Sequence, residues 1–487
     1  MTTRALLRFL PLPAALLVMG LVAWGCAVNP ATGRRELSLV SAEQELRIGA
    51  EGHAAVIAEY GRYEDERLQA YVDSLGQALA RVSHLPGLKW TFTVLDDPVV
   101  NAFAMPGGYI YVTRGILAHL NSEAQLAGVL GHEIGHVTAR HSARRLTQQQ
   151  LSTLGLGVAA IFSPTVRQYS DAARTALGLI MLKYGRDDEN EADQLGVDYA
   201  TRAGWDPREI PATYEMLGRV GDKAGQRLPA FLSTHPDPGD RQSRTTSLAA
   251  AAAAGKSGLH VRGRSYLERM DGVVFGNDPR QGYLEQGRYV HPAMAFELTL
   301  PDGWPARDTR QALVAQSPDQ RARMQLSIAA TDTDSPAAYV QALRAGGRVT
   351  GASGGAETVG GLSAWIGRLA VPDGPGGATT LAAAFIRKPP RMFQVLGQSA
   401  APGDANEAKI LASARSFRAL TDPARLAPTP ARVRVVRVAT AGEFREVAGR
   451  HGPGAPVEDL AILNNRALDE TVRAGELVKV VTPAKLR

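Results

Sequence analysis

His132 and His136 stand four residues apart with Glu133 directly after the first, an H-E-x-x-H pattern. On a helix, residues four apart share one face, one turn from each other. Two imidazoles so placed can both reach one metal ion, while Glu133 points to the flank, where a carboxylate can take a proton from a metal-activated water. The stretch from Asn121 to His141 has the marks of such a helix. Ser122 and Gln125 form a capping-box start, and Leu126, Val129, Leu130, Ile134 and Val137 recur at helical spacing.

A third ligand must come from elsewhere. The class that continues as H-E-x-x-H-x-x-G-x-x-H is excluded, because Ala139 stands where its glycine should be and Ser142 where its histidine should be. The other class takes a glutamate from a later helix. The acidic helix start from Arg186 to Gly196 carries E-x-x-A-D, with Glu189 and Asp193 one turn apart on one face. Glu189 can ligate the metal. Asp193 can accept a hydrogen bond from the distal ring N–H of a ligand histidine. Glu191 is a second candidate for the ligand role.

The elements that must position these groups can be read around them. A helix opens at Ser41 with Gln44 as its capping partner, and a second runs from about Glu64 to Val82. Trp90 to Leu95 alternates as a strand. Asn101 to Thr113 reads as two short strands about a Pro106-Gly107-Gly108 turn, a place where an extended peptide can pair edge-on. Between the two ligand-bearing helices, Leu151 to Ile180 holds an apolar run too short to span a bilayer. It reads as a core helical hairpin, as a mobile apolar flap over the cleft or as a membrane-touching segment.

At 487 residues the chain is long enough for two to four domains. It is 45% hydrophobic and 21% charged, a globular balance. The net charge is +6, but no Lys/Arg run with interleaved aromatics is present, which argues against nucleic acid. Anionic headgroups or acidic cell-wall polymers fit as weak partners. Arg4 and Arg8 precede an apolar run from Phe9 to Trp24 that Pro11 and Pro13 interrupt, which reads as a signal peptide at 1–25 rather than a membrane span. Cys26 is the sole cysteine, so no intrachain disulfide forms. Its position after that run resembles a bacterial lipobox. The resemblance implies cleavage before Cys26, acylation there, and, with Ala27 in place of Asp, anchoring to the outer membrane as a periplasmic lipoprotein.

The expected organisation is α+β and multidomain. A tether at 26–36 leads to a mainly helical zincin-type metalloprotease domain with a small β-hairpin or sheet at 37–255. An α+β sandwich domain at 256–422 is similar to PsbP-like modules. Pro423, Pro428 and Pro430 mark a stiff linker, and a small βααβ module at 431–487 resembles a LysM domain, which makes peptidoglycan a candidate partner.

Three motifs occur in order: His132 to His136, Glu189-x-x-Ala192-Asp193, and Phe231-Leu-Ser-Thr-His235-Pro-Asp-Pro-Gly-Asp-Arg241. Together they resemble the gluzincin zinc metalloprotease family that includes HtpX, the CAAX prenyl endopeptidase and BepA. The likeness covers residues 29 to 250 and, through Asn29-Pro-Ala-Thr-Gly33 and Leu37-Ser-Leu-Val-Ser41, is to its periplasmic lipoprotein branch. It implies one Zn2+ per chain on His132, His136 and Glu189, with Glu133 as general base and Arg241 as an oxyanion donor. It also implies that His235 can take the fourth zinc position and close the site as an inhibitory latch. Unfolded or misassembled envelope proteins would be the substrates. The rival expectation is a periplasmic chaperone or cell-wall-binding lipoprotein with little proteolytic activity.

Overall fold

The structure is a computed structural model that describes residues 26–155, 178, 183–224, 230–236, 238–374, 377–451 and 454–486. The signal segment at 1–25 and most of the apolar run between 151 and 180 lie outside the described residues. The chain mixes helices and sheets and divides into two compact units, one of Met1–Gly276 with Arg432–Thr482 and one of Asn277–Ala431 with Pro483–Arg487.

The first unit begins with a two-stranded antiparallel ribbon, Cys26–Val28 with Arg35–Leu37. Helix α1 (Ala42–Tyr60) follows, and its capping box between Ser41 and Gln44 closes in both directions. Helix α2 (Glu66–Val82) is capped by Asp65 and buries Leu68, Val72, Leu75 and Leu79 at helical spacing. Three short strands come next: β1 (Thr91–Leu95), β2 (Ala102–Met105) and β3 (Tyr109–Thr113). They pair in the order β1-β3-β2, with β1 parallel and β2 antiparallel to β3. That order makes β2 an edge strand, and it packs against the helix bearing the H-E-x-x-H residues.

That helix, α3, spans Glu123–Thr138 and is buried along its whole length. Its start is half a capping box. Ser122 accepts from the Gln125 backbone N–H, but the Gln125 side chain accepts from Asn121 N–H instead of reaching Ser122. The helix also ends earlier than His141. Arg140 adopts φ +55°, and a new helix, α4 (His141–Gly155), starts from that turn. Helix α5 (Arg186–Arg202) crosses α3 at small residues. A Cβ on Gly196 would lie 2.9 Å from His132 N, and one on Gly131 would lie 3.0 Å from Gly196 O. Only glycine at these positions lets the two backbones approach so closely. Helices α6 (Ile210–Ala224) and α7 (Pro238–Ala253) pack on each other and complete the surround.

The unit continues past 255 to Gly276. The Tyr266 hydroxyl donates to Leu117 O at 2.7 Å. The C-terminal segment then returns to the same unit: Arg432–Arg437 pairs antiparallel with Leu477–Thr482, with helices Phe444–Gly449 and Val457–Asn464 between them. Lys479 is fully buried. Its Nζ donates to Ala118 O at 2.6 Å and Leu120 O at 2.7 Å, the carbonyls just ahead of α3. Burial drives its pKa well below the ordinary lysine value.

The second unit holds a seven-stranded antiparallel sheet in the order Gly351–Val359, Leu362–Gly374, Gly377–Lys388, Arg391–Gln398, Arg323–Ile328, Ala312–Gln316 and Ala306–Asp308. A four-stranded sheet orders Arg418–Ala419, Phe296–Thr299, Arg288–His291 and Tyr283–Glu285. Phe296, Phe393 and Phe417 pack together in one of its cores, and Tyr339, Trp365 and Phe385 in another.

Candidate metal centre

Helix α3 presents His132 and His136 one turn apart, and the α3–α5 crossing brings Glu189 from the first turn of α5 to meet them. The Nε2 atoms of His132 and His136 lie 2.9 Å apart. Glu189 Oε2 is 3.6 Å from His132 Nε2 and Glu189 Oε1 is 3.7 Å from His136 Nε2. His235, after the short helix Ala230–Thr234, joins them with Nδ1 2.9 Å from Glu189 Oε1 and 3.4 Å from His132 Nε2. The ligand atoms of His132, His136, Glu189 and His235 all lie within 4.8 Å of one another, and all four residues are buried. Glu191, the other candidate for third ligand, is not in this group.

His132 is oriented from behind. Its Nδ1 is 3.0 Å from Asp193 Oδ1. Since a carboxylate only accepts, that nitrogen carries the hydrogen, and Nε2 keeps its lone pair for the cluster. Asp193 is anchored in turn by the Tyr214 hydroxyl at 2.6 Å, by Arg241 Nη2 at 2.6 Å and Nε at 3.0 Å, and by Arg244. Arg241 is itself buried and also places Nη1 2.6 Å from Glu189 Oε2. The guanidinium expected to face an oxyanion therefore bridges the two carboxylates behind the ligands. On the other side His136 stacks on Tyr184, with ring centroids 4.0 Å apart, and His235 stacks on Phe231 at 4.5 Å.

Electrostatics separate the two central carboxylates. Burial alone would raise Glu189, but His235 and Arg241 hold it at about 2. Glu133 receives no hydrogen bond like the one His235 gives Glu189. Burial raises its pKa against the weaker pull of His235 and His132. Neither of its oxygens has a hydrogen-bond partner among the described residues, and Oε1 lies 3.8 Å from His235 Nε2. Burial lowers the His136 pKa well below the ordinary value, so it stands as a neutral imidazole.

This donor set fits zinc. Two imidazole nitrogens and one carboxylate converge, and two facing Nε2 lone pairs in a buried site call for a cation between them. Glu133 is a buried carboxylate at its flank. His141, unmarked in the sequence, is also at the centre, with Nδ1 2.8 Å from His136 Nδ1. Its spacing from His136 gives no sign of this, because the approach depends on the turn at Arg140.

A family model described as Peptidase family M48 matches residues 66–249. The mitochondrial metalloendopeptidase OMA1 of Arabidopsis thaliana is 38% identical over 183 residues, 37% of this chain and 36% of that protein. The beta-barrel assembly-enhancing protease of Escherichia coli is 30% identical over 339 residues, 63% of this chain and 66% of that protein. The OMA1 of Schizosaccharomyces pombe is 33% identical over 213 residues, 42% of this chain and 61% of that protein. The chain thus spans about a third to two thirds of the length of these relatives. A solved PsbP structure from a Synechocystis species covers 30% of this chain and 98% of its own at 14% identity, with a TM-score of 0.22, too loose a likeness to bear on the fold.

Proposed function

Residues 66–249 are a peptidase family M48 domain, and on that premise we propose that the chain is a zinc-dependent endopeptidase of the bacterial cell envelope that cleaves unfolded or misassembled envelope proteins. The observation that carries the reading is the convergence of His132, His136 and Glu189 beside a buried Glu133 whose oxygens have no hydrogen-bond partner among the described residues. Those three residues would hold the zinc. When bound, it supplies a Lewis acid that makes water nucleophilic near neutral pH and polarises the peptide carbonyl.

The chain's own groups do the rest. Glu133 takes the proton from the attacking water and passes it to the leaving amine, a task suited to a carboxyl whose pKa is raised by burial. Asp193 keeps the hydrogen on His132 Nδ1. Arg241 neutralises Asp193 and Glu189 and holds them in place, and we assign it that role in place of the oxyanion contact. Strand β2 offers an edge on which an extended substrate can pair beside α3. An unfolded chain supplies such a strand more readily than a folded one.

His235 gives a second state to this site. As a fourth protein donor it would take the position that water needs. The loop carrying it then acts as a latch, closed at rest and drawn aside by substrate or a partner. The same four-donor arrangement is the observation that favours the rival reading, a chaperone or cell-wall-binding lipoprotein whose zinc is structural.

The envelope assignment rests on the signal-like run before Cys26 and on the relative named for beta-barrel assembly. Among the described residues no helix is long and apolar enough to cross a membrane, and acylated Cys26 is the anchor we propose, to the outer membrane. The second unit, Asn277–Ala431, serves as a binding or spacer module and the C-terminal segment as a peptidoglycan contact. To test the enzyme reading, the zinc-loaded protein is incubated with an unfolded outer-membrane protein with and without a chelator. Fragments that form, stop on chelation and resume on zinc addition are expected. An intact substrate under all conditions would favour the chaperone.

A further inference from the structure

His132 owes its tautomer to a carboxylate in direct contact, Asp193. His136 has no carboxylate at its Nδ1; it has His141 there. Five residues along a continuous helix turn through about 500°, which would face the two side chains well apart. The chain breaks the helix between them. Arg140 takes a left-handed conformation, disfavoured for any residue with a Cβ. It is held there by its guanidinium, with Nε 2.7 Å from Glu45 Oε1 and Nη2 3.0 Å from Val40 O. The turn brings His141 back, fully buried, with its ring at 74° to that of His136.

The hydrogens along this contact are set from the far end. His141 Nε2 is 3.0 Å from Glu191 Oε2. The carboxylate can only accept, so His141 carries a hydrogen on Nε2, and the tautomer with that single ring hydrogen has Nδ1 bare. His136 must then donate from Nδ1, 2.8 Å away, and its own Nε2 is bare. That is the nitrogen that faces His132 Nε2 and Glu189.

We infer that Glu191 and His141 form a positioning pair that fixes the tautomer and ring orientation of His136 for metal ligation. Asp193 serves His132 in one step, and Glu191 serves His136 in two. Arg144 lies against Glu191 and Asp188 and bonds Glu36 of the N-terminal ribbon, so the pair is braced from outside. The inference rests on the zinc reading of the site.

The test is zinc affinity, measured by competition with a chromophoric chelator on the full chain. His141→Leu removes the acceptor and is expected to weaken binding 10- to 100-fold. His141→Asn sets an amide oxygen near the Nδ1 position and is expected to recover most of that loss. Glu191→Ala, at a partly exposed side chain, is expected to weaken binding without unfolding the protein. Nitrogen NMR of 15N-histidine-labelled, zinc-free protein supplies an independent readout. It should find His136 as the Nδ1–H tautomer in the wild type and a mixture in Glu191→Ala. If Glu191→Ala and His141→Leu bind zinc as tightly as wild type, while His132→Ala does not, the positioning pair is wrong and the zinc site stands. If the wild type itself does not bind zinc, both fall.

Discussion

His235 and Arg241 touch the same carboxylate, Glu189, yet removing them should have opposite effects. His235→Ala takes away the fourth donor and leaves three, so zinc content should stay near one per chain while basal cleavage rises several-fold. Arg241→Lys keeps one charge but cannot bridge Asp193 and Glu189 as a planar fork does. It should lose zinc affinity and turnover together, whereas an oxyanion donor would lose turnover at full zinc occupancy. Rates and zinc content on one unfolded substrate decide both. A slow His235→Ala would end the latch, and a fully loaded but slow Arg241→Lys would restore the oxyanion role. The meeting of His132 and His136 is legible in the sequence because a four-residue spacing on a helix translates directly into one face. The place of Arg241 and the presence of His141 are not, because their partners come from other elements. Nothing local announces that a non-glycine residue, Arg140, will take a left-handed turn.

At the scale of elements the site depends on how closely α3 and α5 cross. A Cβ added at Gly196 would lie 2.9 Å from the backbone nitrogen of His132, which cannot yield as a flexible side chain could. Gly196→Ala would favour the isolated helix by about 1 kcal/mol. It is nevertheless expected to destabilise the protein by about 1–3 kcal/mol through overpacking and to move Glu189 from the histidines. A lower melting temperature with weaker zinc binding checks this. An alanine variant that is more stable and binds zinc normally would show that the crossing is slack. Helix starts are readable from capping residues, as Ser41 with Gln44 demonstrates. The α3 start is only half so, because Gln125 caps Asn121 instead. The α3 end is not readable at all, since Thr138 to His141 keeps helical composition. Strands β2 and β3 are evident from the Pro106-Gly107-Gly108 turn between two short apolar runs.

Over the whole molecule, the sequence conveys composition and punctuation better than long-range contact. Pro423, Pro428 and Pro430 all lie within the second unit, where Pro423 opens the short helix Pro423–Leu426, and the change of unit falls at Ala431–Arg432. The segment from Arg432 to Thr482 belongs with the protease residues, through contacts such as Lys479 to Ala118 and Leu120. A lone lysine in a Val-rich strand gives no hint that it will donate to carbonyls some 360 residues earlier. The placement of the molecule in the cell rests on Cys26. Cys26→Ser should move the protein from the membrane fraction to the soluble one. Continued retention after a high-salt wash would mean another anchor, with the apolar run from Leu151 to Phe162, largely outside the described residues, as the first suspect.

The central claim is that His132, His136 and Glu189 hold zinc while Glu133 does proton chemistry beside it. Glu133→Gln separates the two tasks, since it removes the base and no ligand. Zinc per chain and cleavage of an unfolded outer-membrane protein are measured on the same preparations of wild type and variant. Equal zinc and a rate at least about 100-fold lower in the variant are expected. Cleavage by Glu133→Gln at the wild-type rate would contradict the claim.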